Sequence, residues 1–200
     1  MARTILIDGR SGAGKTTFAQ LVGDKTGFHV IHLDEFYPGW GGLVEGSGMV
    51  KDSVLRVDRP GYFRWDWVKN EPGEWVDVDP RADLVIEGVG ALTEANVEAA
   101  RNRYRAATRS GEPVNVENAC LTIWADVPGV VRKERALART PDFVDFWDMW
   151  ARQEEEFMKT NNRHDAIDKV NMKLALSGTS PQVDSETVQS ALRKIILWAQ

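Results

Sequence analysis

Residues 5–17, Ile5-Leu6-Ile7-Asp8-Gly9-Arg10-Ser11-Gly12-Ala13-Gly14-Lys15-Thr16-Thr17, constrain this chain more than any other stretch. A short apolar run of strand type enters a glycine-rich turn and passes directly into a helix-like segment. The spacing of Gly9, four residues, Gly14, Lys15 and Thr16 is that of a phosphate-binding P-loop. Each piece has a physical reason. Glycines let the backbone bend until successive N–H groups point inward and cradle phosphate oxygens. A helix beginning near Lys15 adds the positive end of its dipole. Lys15 is placed to reach the outer phosphates and the Thr16 hydroxyl to ligate Mg²⁺. The expected nucleotide-binding residues are therefore Gly9, Ser11, Gly12, Ala13, Gly14, Lys15, Thr16 and Thr17.

The rest of the chain alternates short apolar runs with helical segments. Strands are expected over 3–8, 29–33, 83–88, 121–125 and 170–176, and helices over 16–25, 93–108, 128–139, 143–161 and 185–199. Loops are expected at 109–118 and 177–184, and Thr140-Pro141-Asp142 should break one helix from the next. Between 36 and 80 the periodicity weakens, and Gly, Pro and Trp accumulate beside Arg56, Arg59 and Arg64. That is too long for a simple connector, so an insertion with structure of its own is expected there. The pattern predicts one α/β domain over 1–200, a three-layer P-loop NTPase sandwich. About five parallel strands would carry helices on both faces, with a Trp-rich insertion at 36–80 and a lid region at 132–150.

A chain of 200 residues can bury a sizeable single core. Its formal net charge of −5 argues against a nucleic-acid binder that relies on a bulk positive field. No run approaches the ~18 apolar residues of a membrane span, and the first residues enter a strand at once, so a soluble cytoplasmic protein is expected. Cys120 is the single cysteine, expected as a buried small hydrophobe. No His, Cys and Asp spacing suggests a structural metal.

In a parallel sheet, ligands collect at the carboxyl ends of the strands. Asp8, Asp34, Glu87 and Asp126 all end predicted strands and should gather around the P-loop. Glu87 is placed to hold Mg²⁺ through water, and Asp34 to accept the proton of a substrate hydroxyl. Glu35 is expected to be solvated or structural, and Asp126 to cap a helix. Arg132, Arg135 and Arg139, at i, i+3 and i+7, share one helix face just before the break at Pro141. A lid would use that face to bring guanidinium groups over phosphates, with Arg135 and Arg139 the nearest to the break. Tyr37, Trp40, Tyr62, Phe63, Trp65 and Trp67 crowd the insertion, where they either stack a flat substrate or form a small core of their own. Trp147 and Trp150 are expected to pack the late helix on the body.

With these residues in hand, the chain resembles the uridine kinase-like branch of the P-loop nucleoside kinases. Four motifs carry the resemblance: the P-loop, Asp34-Glu35-Phe36-Tyr37, Ile86-Glu87-Gly88, and the arginine-rich helix from Arg132 to Arg139. The string from His32 to Trp40 is also similar to small bacterial ATP-binding proteins of that type. The resemblance implies ATP and Mg²⁺ as cofactors, Asp34 as catalytic base, Glu87 as a Mg²⁺-associated acid, and Lys15, Arg135 and Arg139 as catalytic cations. It implies a small, nucleoside-like acceptor; Tyr37, Trp40, Arg59 and Trp65 of the insertion are the residues expected to touch it, in a monomer or homodimer expected to have no nucleic acid or membrane partner. The family's Asp-His-Pro acceptor segment has only a loose counterpart in Asp58-Arg59-Pro60. Two alternatives stand beside this reading. One is a nucleotide or small-acid kinase, in which Arg56, Arg59 and Arg64 meet a charged acceptor but the Asp34-Glu35 pair disfavours a nearby anion. The other is a nucleotide-binding switch, although the guanine-reading Asn/Thr-Lys-x-Asp tetrad is absent.

Overall fold

In the computed structural model, residues 1–108, 115–139, 143–160, 169–175 and 185–200 are described. Residues 109–114 of the loop expected at 109–118, the loop expected at 177–184 and the helix break at 140–142 lie outside them.

The centre is β1 (Thr4–Asp8), every residue of which is buried. Alternate side chains of a strand point to opposite faces, and here both faces are buried, Ile5 and Ile7 on one and Thr4, Leu6 and Asp8 on the other. β1 pairs in parallel with β5 (Leu84–Glu87) on one side and β6 (Cys120–Asp126) on the other. β2 (His29–His32) joins β5, and β7 (Met172–Ala175) joins β6, giving the parallel order β2-β5-β1-β6-β7. Ile5, Ile7, Val85 and Ile123 face one core with Phe18, Ala19 and Val22 of α1 (Lys15–Thr26). The last helix, α6 (Glu186–Ala199), adds Val188, Leu192 and Ile195 to that core. Leu6, Leu84 and Ile86 face the other core with Ala100 of α3 (Glu94–Ala107) and the aromatic residues described below.

Local signals set the element ends. α1 starts after Gly14, at φ 87°, and stops at Gly27, whose N–H bonds the Gly23 carbonyl at 2.8 Å. Thr93 caps α3 by accepting the Asn96 N–H, and Ser185 caps α6 on Val188. Cys120 is buried, and burial pushes its thiol up to about 12.

The weakly periodic insertion resolves into three pieces. α2 (Leu43–Met49) runs into a π-helical turn (Val50–Val54), and an antiparallel hairpin follows, β3 (Gly61–Asp66) and β4 (Glu71–Asp77). The missed hairpin has a physical reason: Pro72 and Gly73 sit inside β4, and almost every β4 residue is exposed, so no alternating apolar face marks it. Beyond the sheet, α4 (Gly129–Arg139) and α5 (Val144–Thr160) flank 140–142. No described helix is long and apolar enough to cross a membrane.

Candidate active site

The P-loop follows β1 without a break and wraps the N-terminus of α1. Gly12 adopts φ 79°, and a Cβ there would run into the backbone carbonyl of Arg132 on α4, so the loop and α4 touch through bare backbone. Lys15 is buried beneath the loop, with Nζ 3.4 Å from the Arg10 carbonyl. Asp8, expected with the other strand-end acids around the P-loop, lies against it and is fully buried. Its carboxylate accepts N–H bonds from Gly9 at 2.6 Å, Gly90 at 3.1 Å and Leu92 at 2.9 Å, tying the start of the P-loop to the segment after β5.

Glu87 ends β5 beside the first turn of α1. Its Oε1 accepts the Thr16 hydroxyl at 2.9 Å and faces His32 Nδ1 at 2.7 Å. An ionised carboxylate only accepts, so Nδ1 carries the proton in this contact. Burial alone would raise Glu87, but the His32 hydrogen bond and the charge of Lys15 hold it below the ordinary carboxylate value. The same bond pushes His32 up from its ordinary value. An ionised carboxylate and a hydroxyl on neighbouring positions are hard oxygen donors that suit Mg²⁺, which keeps several of its waters. Thr16 and Glu87 therefore fit that ion, although no cluster of three or more His, Cys, Asp or Glu occurs among the described residues.

Asp34 lies in a one-turn 3-10 segment (Leu33–Glu35) after β2. Asp34 is exposed as a residue, yet protein atoms around its carboxyl displace much of its water. That desolvation, with the negative charge of Glu87, pushes it above the ordinary carboxylate value against the pull of Lys15, Arg139 and His32. Trp67, at the tip of the hairpin, donates its indole N–H to the Asp34 carbonyl at 3.0 Å, so the hairpin roofs the segment carrying the acid.

Two connected hollows meet at Asp34. A slot of about 190 Å³ runs among Ser11, Tyr37, Trp40, Trp67, Phe143 and Trp150. A groove of about 340 Å³ is bordered by Thr16, His32, Glu35, Arg64, Trp65 and Glu87. Arg139 lines both. Strand ends, the P-loop and the end of α4 thus bring together Lys15, Thr16, Asp34, Glu87 and Arg139, as the sequence leads one to expect.

Other expected residues stand elsewhere. Arg59 is exposed in the turn before β3, at φ 48°, and lines neither hollow. Arg135 is half-buried on α4, also outside both linings, and burial lowers its guanidinium from the ordinary value. Arg132, on the same helix face, is buried and donates to the carbonyls of Ser11 at 3.0 Å and Val127 at 3.2 Å. The arginine face thus divides: Arg132 braces the P-loop and Arg139 reaches the cleft. Tyr37 is buried, with its hydroxyl committed to the Val89 carbonyl at 2.7 Å. Trp40 stacks on Phe146 at 4.2 Å and on Phe143 at 5.4 Å, and tilts against Trp67 at 5.0 Å. Tyr37 and Tyr62 belong to the core on that face of the sheet, with Trp40 packed against it, whereas Phe63 and Trp67 are exposed. Glu35 proves structural, accepting the Tyr62 hydroxyl at 2.7 Å and Arg64 at 3.2 Å.

Glu154, which no sequence motif marks, is 1% exposed on α5. It accepts the Ser11 N–H at 2.7 Å and Arg10 Nε at 2.8 Å. The one hint in the sequence is its place: an acid on the buried face of α5, in register with Trp147, Trp150 and Phe157.

No family model and no curated protein matches the chain. Among solved structures it is similar to a gluconokinase from Sinorhizobium meliloti 1021, 14% identical with a TM-score of 0.50, covering 99% of this chain and 94% of that one. It is likewise similar to a shikimate kinase from Bacteroides thetaiotaomicron, 15% identical with a TM-score of 0.50, over 96% of each chain. Neither is a uridine kinase by name, so the uridine kinase-like branch rests on the sequence motifs alone. At these identities the likeness is one of architecture: the chain shares the parallel α/β fold of these two proteins.

Proposed function

We propose that the chain is a Mg²⁺-ATP-dependent phosphotransferase that moves the γ-phosphoryl group to a hydroxyl of a small metabolite, and that this acceptor is a small hydroxy acid rather than a nucleoside. The observation that carries the proposal is the position of Asp34. It lines one groove with Thr16 and Glu87 of the phosphate end and with Arg139 and Arg64, and it feels the charge of Lys15. The P-loop amides and Lys15 hold the phosphates, and Arg139 offsets charge on the transferring group. Asp34 takes the proton of the acceptor hydroxyl as its oxygen attacks the γ-phosphorus. The bond from that phosphorus to the bridging oxygen breaks, and ADP leaves. Mg²⁺ held by Thr16 and, through water, Glu87 would neutralise phosphate charge.

Two observations favour the acid. Glu35, the acid that argued against an anionic acceptor, accepts from Tyr62 and pairs with Arg64, which Glu74 shares at 2.7 Å, so its charge is offset in part. The aromatic residues that would stack a nucleobase are largely engaged with one another. The two structural neighbours, a gluconokinase and a shikimate kinase by name, point the same way. A nucleoside reading keeps one support, the aromatic wall of the slot beside Asp34.

The experiment is ADP release from Mg²⁺-ATP across small hydroxy acids, sugars, nucleosides and nucleotides, with Lys15→Ala as control. The expected result is stimulation by a hydroxy acid that the control loses. Stimulation by nucleosides alone overturns the acceptor class, and ATP binding without any stimulation favours a nucleotide switch.

A further inference from the structure

Glu154 is a puzzle for a phosphate-binding loop. A carboxylate taken out of water is costly unless partnered, and one beside an anion site opposes its ligand's charge. Yet Glu154 is buried against Ser11, inside the P-loop, and grips its N–H at 2.7 Å. Arg10 answers its charge at 2.8 Å and Arg132 at 3.8 Å. Arg132 also donates to the Ser11 carbonyl, so both polar groups of that peptide segment are held from outside the loop, one by α5 and one by α4. Arg10 adds a bond to the Ala151 carbonyl on α5 at 3.2 Å. The preceding residue, Gln153, donates to the Trp40 carbonyl at 2.8 Å, so adjacent residues of α5 hold the phosphate loop and the insertion that walls the slot. α4 ends at Arg139, the arginine lining both hollows.

We propose that Glu154 is a positioning residue: it latches the P-loop to the α4–α5 pair and so fixes Arg139 relative to bound phosphates. Buried ionic groups are best attested as devices that set register, and here the register is between donor loop and arginine helix. The proposal rests on the reading of the cleft as an ATP site. Two independent contacts, through Ser11 N–H and Arg10, transmit the position of α5 to the loop, and Arg132 transmits that of α4.

The test is calorimetric Mg²⁺-ATP affinity of the full chain as wild type, Lys15→Ala, Glu154→Gln, Arg139→Ala and the Glu154→Gln/Arg139→Ala double variant. Glutamine can still accept the Ser11 N–H but cannot answer Arg10, so the fold is retained while the latch loosens. Glu154→Gln should weaken binding roughly tenfold, and the double variant should be no weaker than Arg139→Ala alone, because the two act as one unit. Effects that multiply, or a Glu154→Gln affinity equal to wild type, overturn the latch. A role in stability alone predicts wild-type affinity, and an effect on the loop independent of Arg139 predicts multiplication, so non-additivity is the discriminating readout. Arg10→Gln, which changes a partly exposed arm, should weaken binding in the same direction and serves if Glu154→Gln does not fold. Wild-type affinity unchanged by Lys15→Ala is a distinct result: it refutes the ATP-site reading itself and the latch with it.

Discussion

Replacing Asp8 by Asn keeps the size and shape of the side chain and removes only its charge and half of its accepting capacity. In the native chain one oxygen accepts from Gly9 and Gly90 and the other from Gly90 and Leu92. An amide has a single acceptor oxygen, so either Gly9 or Leu92 loses its partner and meets an N–H group instead. The bonds that survive fall from charge-assisted to neutral, a loss of about 1 kcal/mol, and a buried donor left unmade costs about 1–3 kcal/mol more. The sum is about 2–4 kcal/mol, and for a chain of this size it lowers the melting temperature by roughly 4–16 °C. Thermal unfolding followed by circular dichroism, with a urea titration at fixed temperature, measures it. A shift within about 2 °C would mean that the Asp8 carboxylate is not the tie between the P-loop and residues 88–92, and the placement of Glu87 would need another explanation.

Other outcomes follow from the same geometry. Lys15→Ala removes a charge-assisted phosphate contact and should cut turnover by about 10²–10³-fold, read as ADP release at saturating ATP. Asp34→Asn should leave Mg²⁺-ATP affinity near wild type and slow transfer by about 10²–10⁴-fold; loss of ATP binding would show that Asp34 is structural or linked to the metal. A base must be ionised, and Asp34 is pushed above the ordinary carboxylate value, so turnover should rise with pH through an apparent pKa above ~3.9, and Asp34→Asn should lack that limb. The sign for stability is the reverse: the folded chain holds the Asp34 proton longer than the unfolded chain does, so ionised Asp34 disfavours folding above that window. Asp34→Asn should therefore melt higher than wild type at neutral pH. Gly46→Ala places a methyl against the ring of Tyr37, which is packed edge-on to Trp150, and should destabilise by about 1–3 kcal/mol in chemical denaturation.

The sequence by itself determined the parts whose physics is local. A glycine spacing and an apolar run specify the P-loop, because the bend, the helix N-terminus and the position of Lys15 all lie within one stretch of backbone. Alternating apolar and helical periods likewise specify a parallel sheet. Strand ends then predict that Asp34 and Glu87 meet at its carboxyl edge, which they do. The tertiary structure decided everything that depends on who stands opposite whom. Asp8 and Glu87 both end buried strands, yet one is closed off by the amides of Gly90 and Leu92 while the other faces Thr16 and His32. Arg132 and Arg139 share a helix face, but one meets the P-loop backbone and the other the cleft. Trp40 reads equally as a stacking platform or as core until Phe143 and Phe146 are seen against it. Glu154 carries no motif at all, since what distinguishes it is a main-chain N–H some 143 residues away, and no local pattern encodes a contact across that separation.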